Sequence, residues 1–249
     1  MNEPSEFFVG YLRLPPGLRR FSGKLAAATL TLCLGGALAL ALSMPRAPGA
    51  PATDHGRHLQ GLYTAEPYGV VWTSGEGGPH ATLLTQGGKH GVVSPGDPLD
   101  GRVIDVAGQR LARGGVSLLE LGEGIHPAAG NSATPLRDAL RTSRRDLGEV
   151  TVRGQIEDAK CYAGRMRPGT SMPHRACAQL CVRGGIPPVL VARDAAGVEV
   201  AYVLATRDGH AINAAIVPYL VEPVEVRGRL ERIGDLLLLK TDLASVRRL

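Results

Sequence analysis

The chain of 249 residues is poor in aromatic side chains, 4% in all, with a single tryptophan. Nucleic-acid readers interleave aromatics with a basic stripe. Here the arginines are scattered singly, so the formal net charge of +5 gives that role little support and no nucleic-acid partner is expected. G-x-S-x-G, H-E-x-x-H and paired-carboxylate arrangements are missing, which leaves no complete catalytic apparatus, and enzyme activity is not the leading expectation. The glycine runs "SGEGG", "QGGKHG" and "RGG" do not follow a strand and open a helix, so they read as turns rather than phosphate cradles. Cysteine is scarce at four, yet three of the four stand close together.

What is plentiful is glycine and proline, 33 and 18 residues spread at short intervals. That punctuation suits short strands joined by turns, so the expected fold is mainly β outside one apolar segment. The segment, "LAAATLTLCLGGALALALSM" from Leu25 to Met44, carries no charge and is long enough to span a bilayer core of about 30 Å as a helix. Arg13, Arg19, Arg20 and Lys24 precede it and only Arg46 follows closely, so the positive-inside rule places the N-terminus in the cytoplasm and the rest outside. The protein is thus expected in the inner (cell) membrane, with its C-terminal domains periplasmic or extracytoplasmic. A cleaved signal peptide is the alternative, because "LALALSMPRAPGA" offers small residues to a peptidase, but the apolar run exceeds the usual ~7–15 residues. Residues 1–24 are then a cytoplasmic segment in which Phe7, Phe8 and Tyr11 suit the membrane interface, 25–44 the span, and 45–58 a stiff proline- and alanine-rich linker.

The remainder repeats itself. "KHGVVSPGDPLDGRVIDVAG", ending at Gly108, matches "GHAINAAIVPYLVEPVEVRG", ending at Gly228, with His90 and His210 in step and Ile104 and Val106 answering Val224 and Val226. "LARGGVSLLEL" then parallels "LERIGDLLLLK" after one extra residue in the first copy. Each copy reads as strands, bends and Gly-centred turns of a small closed barrel. The expected architecture is two tandem barrels of the oligonucleotide-binding (OB) shape, at 59–128 and 147–249, joined by 129–146 with a short helix from Pro135 to Arg144; the name describes shape and not ligand. Tyr68 and Trp72 are expected in the first barrel's core, with a partner-binding surface as the alternative, and Glu157 and Asp158 beside Lys160 at a solvated strand end, with support of a metal's ligands as the alternative.

The second barrel carries an insertion, "KCYAGRMRPGTSMPHRACAQLCVRGGIPP". Pro173 suits the first turn of a helix and Gly184 and Gly185 its end. His174, Cys177 and Cys181 then share one helix face, and the glycine-rich loop can fold Cys161 over it. Three readings stay open. Cys161, His174, Cys177 and Cys181 form a Cys3His set with the ligand number for tetrahedral zinc, while Met166 and Met172 nearby make copper(I) equally suitable. On the oxidising side of a membrane, Cys161 could instead pair with Cys177 or Cys181 as a disulfide and leave one spare thiol. Working thiols are the third reading, with His174 lowering a cysteine pKa, although C-x3-C is not the C-x-x-C of thioredoxin-type enzymes.

"VTVRGQIEDAKCYAG" with "HRACAQLCVRGGIPPVLVARD" and the closing "VEVRGRL" resembles a group of small bacterial exported domains. Their plan is V-x-G-x-I-x-D-x-x-C followed by H-x-x-C-A/T-x-x-C and glycine. The resemblance covers roughly residues 150–245. It implies an OB-type barrel with Asp158, Cys161, His174, Cys177 and Cys181 as signature residues, and no particular reaction. The anchor and the first barrel depart from that plan, so the role of a free secreted domain does not carry over. The expected work is that of an accessory or assembly subunit of a membrane-bound redox or metal-handling complex, with membrane-protein partners and with zinc or copper as candidate metals. A thiol oxidoreductase or metallochaperone using Cys177 and Cys181 is the alternative, and a disulfide-stapled interaction module a third.

Overall fold

Helix α1 (Pro16–Ser43) runs for 28 residues with no side chain buried against protein. At about 1.5 Å per residue it exceeds a bilayer core. It begins before the uncharged run, so Arg19, Arg20 and Lys24 ride on its first turns. The hydroxyls of Thr29 and Thr31 donate to the carbonyls of Leu25 and Ala27, which pairs the polar groups of the apolar stretch inside the helix itself. A single helix of this length and composition supports a one-span, membrane-anchored topology. The computed structural model describes residues 15–43, 52–92, 97–128 and 132–249; the aromatic segment before α1 and the first half of the expected linker lie outside them.

A second unit contains both barrels. The first is built from β1 (Ala52–Thr64), β2 (Val70–Gly75), β3 (Gly78–Thr85), β4 (Val103–Arg113), β5 (Val116–Leu121) and a short β6 (His126–Pro127). Helix α2 (Thr134–Ser143) connects to β7 (Arg145–Asp158), α3 (Arg175–Arg183), β8 (Pro188–Arg193), β9 (Glu199–Thr206), α4 (Asn213–Ile216), β10 (Pro223–Ile233), β11 (Leu236–Thr241) and β12 (Val246–Arg248). β1 thus starts inside the stretch read as linker, and β7 two residues ahead of the expected boundary at 147.

The two sheets have one topology. β1-β2-β3-β5-β4 closes by pairing β4 with β1, and β7-β8-β9-β11-β10 closes by pairing β10 with β7. In each ring only the third and fifth strands run parallel. That is the five-stranded OB-like barrel, present twice. Matching contacts support the duplication. Gln86 N–H donates to the His90 carbonyl and Thr206 N–H to that of His210, so both histidines occupy the same turn. A Cβ at Gly108 would stand 2.1 Å from the Glu120 carbonyl and one at Gly228 2.3 Å from that of Lys240, so both strands need glycine where the backbone of the next strand passes close. The extra residue expected in the first copy is not there. Arg113 pairs with Val116 and Ile233 with Leu236, so both hairpins turn on two residues, Gly114–Gly115 and Gly234–Asp235.

Alternating apolar residues fill each barrel: Tyr63, Ile104 and Val106 among others in the first, Ile156, Val224 and Val226 in the second. A third cluster belongs to both barrels. Leu62, Trp72, Leu83 and Leu118 pack there with Tyr162, Val189, Val203 and Leu238. Tyr68 and Trp72 therefore face the neighbouring barrel rather than their own core. The Tyr68 hydroxyl donates to the Leu204 carbonyl at 2.9 Å and accepts from Ile212 N–H at 3.2 Å. Arg113 joins Glu199 at 2.9 Å and lies over the Tyr162 ring. The barrels are thus welded by apolar area, with these polar groups paired across the seam.

Candidate metal centre

The barrels differ most at one connection. From β1 to β2 the chain needs only Ala65–Gly69, whereas from β7 to β8 it spends residues 159–187 on the insertion. β7 ends in Glu157 and Asp158, and the expected solvated strand end is instead closed: Glu157 and Lys160 are 1% exposed and Asp158 0%. Asp158 organises the insertion from its first turn. Its Oδ1 accepts from Cys161 N–H at 2.8 Å, starting the wide helical turn Cys161–Arg165, and its Oδ2 meets His174 Nε2 at 2.8 Å. Gly164, at φ +125°, takes a conformation that L side chains rarely adopt and lets the chain leave that turn.

Pro173 stands in the single turn Met172–His174 that leads into α3, and Gly184 ends the helix with its N–H on the Leu180 carbonyl. Cys177 and Cys181 fall one helical turn apart and face Cys161. The three Sγ atoms lie within 4.8 Å of one another, and Cys177 and Cys181 are 4.0 Å apart. Ile186 packs on the group. Asn213, just ahead of the second barrel's closing strands, donates to the Val182 and Ile186 carbonyls at 2.8 Å each, fixing the end of α3. His174 belongs to an overlapping group with Cys161 and Asp158 and not to the three-sulfur group. Its Nδ1 is buried without a hydrogen-bond partner. Met166 and Met172, considered as thioether ligands, are exposed at 45% and 59%. Cys33 lies on α1, in the other unit.

The fourth wall of the cluster comes from the first barrel. Lys89 Nζ donates to Cys177 Sγ at 2.8 Å. Its loop is clamped by Lys160, whose buried ammonium donates to the Gln86 and Gly88 carbonyls at 2.7 Å and meets Glu120 at 3.0 Å. Gly91 N–H donates to the Gly184 carbonyl, joining the loop to the end of α3. Cys161 and Cys181 are buried, and Cys177 is half-buried. Nothing in the spacing of the insertion pointed to Lys89. The only signal was its place in "QGGKHG", the turn that the duplication put in register with His210.

No family model matches the chain. No curated protein and no solved structure matches it either.

The site is electrostatically uneven. The neighbouring Cys181 sulfur, and after it burial, pushes the Cys161 thiol up, while the Cys161 sulfur in turn holds Cys181 below the usual thiol range, as when two groups share one proton. The bond to Cys177 holds the Lys89 ammonium above its ordinary value. The bond to Asp158 likewise raises His174, favouring an imidazolium–carboxylate pair. Glu157, pushed up to about 7 by burial, keeps one hydrogen bond, from Ser171 N–H to Oε1. One pair of the donor set has the spacing that a soft metal requires. Two sulfurs about 2.3 Å from one ion stand about 3.8–4.0 Å apart, the separation of Cys177 and Cys181.

Proposed function

We propose that the protein is a membrane-anchored, exported metal-binding subunit that serves the assembly or maintenance of a membrane redox or metal-handling complex. The observation that carries this reading is the convergence of three sulfurs beneath a lysine supplied by the other barrel. Cys161, Cys177 and Cys181 would hold the ion, and a bound soft cation would supply a site for storage or transfer rather than catalysis. Three thiolates suit copper(I). Zinc needs a fourth donor, and His174 sits with Cys161 and Asp158 rather than with all three sulfurs. Lys89 offsets part of the excess negative charge of a thiolate set, and the half-buried Cys177 is the side from which a donor or acceptor protein can approach. The basic residues ahead of the span favour a cytoplasmic N-terminus and barrels on the far side.

The test is elemental analysis of the full chain purified without oxygen, with thiols counted before and after chelation. About one copper or zinc per chain, and three thiols in the barrel unit that become reactive on chelation, are expected. Metal-free protein that takes up neither ion and has a single free thiol there would replace this reading by the stapled module. Thiol exchange is the second reading, favoured by the depressed Cys181. It predicts a reversible dithiol couple near those of cellular dithiols and no retained metal.

A further inference from the structure

Away from the sulfurs, the seam between the barrels opens into a cavity of about 400 Å3. Its floor is apolar, made by Leu62, Val70 and Trp72 of the first barrel and Ile233 and Leu238 of the second, with Leu140 of α2 closing one side. Three arginines of α2 and its end, Arg137, Arg141 and Arg144, stand at its rim. Arg137 is committed to the Gly101 carbonyl at 2.7 Å. Arg141 and Arg144 have no hydrogen-bond or ion-pair partner among the described residues. The two rim carboxylates are already engaged: Asp100 accepts from Ala65 N–H at 2.9 Å and Glu66 faces His210 at 3.4 Å.

An apolar hollow of this size at a domain seam, with a few convergent polar groups, has the make-up of a small-molecule site. Three guanidinium groups outnumber the two carboxylates at its mouth, so the net charge there is positive, and guanidinium groups recognise carboxylates through paired hydrogen bonds. We propose that the cavity binds a small amphipathic carboxylate, its apolar body against Trp72 and Leu140 and its head between Arg141 and Arg144. Because the ligand touches both barrels and α2, its binding would tighten the seam that also holds Lys89 over the thiols.

Trp72 is the chain's single tryptophan and lines the cavity, so its fluorescence reports occupancy. The full chain in nanodiscs is titrated with 4-phenylbutyrate and with its neutral counterpart 4-phenylbutan-1-ol. A saturable change in Trp72 emission is expected for both, with the carboxylate binding at least tenfold more tightly. The Arg141→Gln, Arg144→Gln double variant, altered only at exposed positions, should lose that preference and keep its affinity for the alcohol. Equal affinities in the parent chain, a preference that survives in the double variant, or no saturable response to either compound would each overturn the assignment. Metal content is indifferent to all three outcomes, so this test stands apart from that of the thiol cluster.

Discussion

Lys89 Nζ and Cys177 Sγ lie 2.8 Å apart, although one belongs to the first barrel and the other to the insertion of the second. The contact makes the cluster a property of the docked pair of barrels. An isolated second barrel would keep its three sulfurs and lose the charge that faces them.

Replacing Lys89 with methionine keeps most of the side-chain volume and removes the charge. Partners that contact a ligand in this way typically contribute ten- to a hundredfold in metal affinity. A loss of roughly tenfold, measured by competition with a chromogenic chelator, is expected, with an unchanged thermal transition for the metal-free protein.

Lys160 is the anchor behind Lys89. Its 1% exposed side chain reaches from β7's end into the first barrel to Glu120 and two carbonyls. Removing Lys160 leaves Glu120 with only the half-exposed Arg165, 2.6 Å away, and strips two carbonyls of their donor, at a cost of about 3–5 kcal/mol. Lys160→Met should therefore be severely destabilised in urea, and Lys160→Met with Glu120→Gln measurably less so than the two single effects summed.

The seam can be probed at neighbouring glycines. Gly114 and Gly115 both have positive φ, +55° and +82°, so alanine is strained at either. Only at Gly114 would the new Cβ collide, 2.0 Å from the Tyr162 hydroxyl of the other barrel. Gly115→Ala should cost about 1 kcal/mol. Gly114→Ala should cost clearly more and should raise protease sensitivity at the seam.

Glu157 gives a pH signature. Burial raises its folded pKa to about 7 from an ordinary 4.5. A carboxyl with a raised pKa keeps its proton longer in the folded chain. Its contribution is therefore fully present below pH 4.5 and is lost as the pH rises through about 7. Glu157→Gln, which cannot ionise, should match the parent at pH 4.5–5 and exceed it at pH 8 by on the order of 2 kcal/mol, read from urea unfolding at both values. A variant that is less stable than the parent at pH 8 would show that the ionised carboxylate is stabilised by a partner instead.

Local features were legible from residue order because their causes are local. An uncharged stretch from Leu25 had to be helical and apolar, Pro173 and Gly184 bracket α3, and the i, i+4 spacing of Cys177 and Cys181 alone sets both on one face. The duplication was visible because two barrels of the same topology need glycine where the next strand's backbone passes close, at Gly108 and Gly228. Only the tertiary fold decided the rest. Whether His174 turned toward the sulfurs or toward Asp158 depended on a buried carboxylate whose burial no spacing reveals. Tyr68 and Trp72 are as apolar in a seam as in a core, so hydrophobicity could not tell which barrel they served. Lys89 reached Cys177 because two independently patterned barrels docked and a buried lysine clamped one loop. Contacts between residues far apart in the chain are selected by shape and by the need to pair buried polar groups, and neither leaves a periodic mark in the sequence.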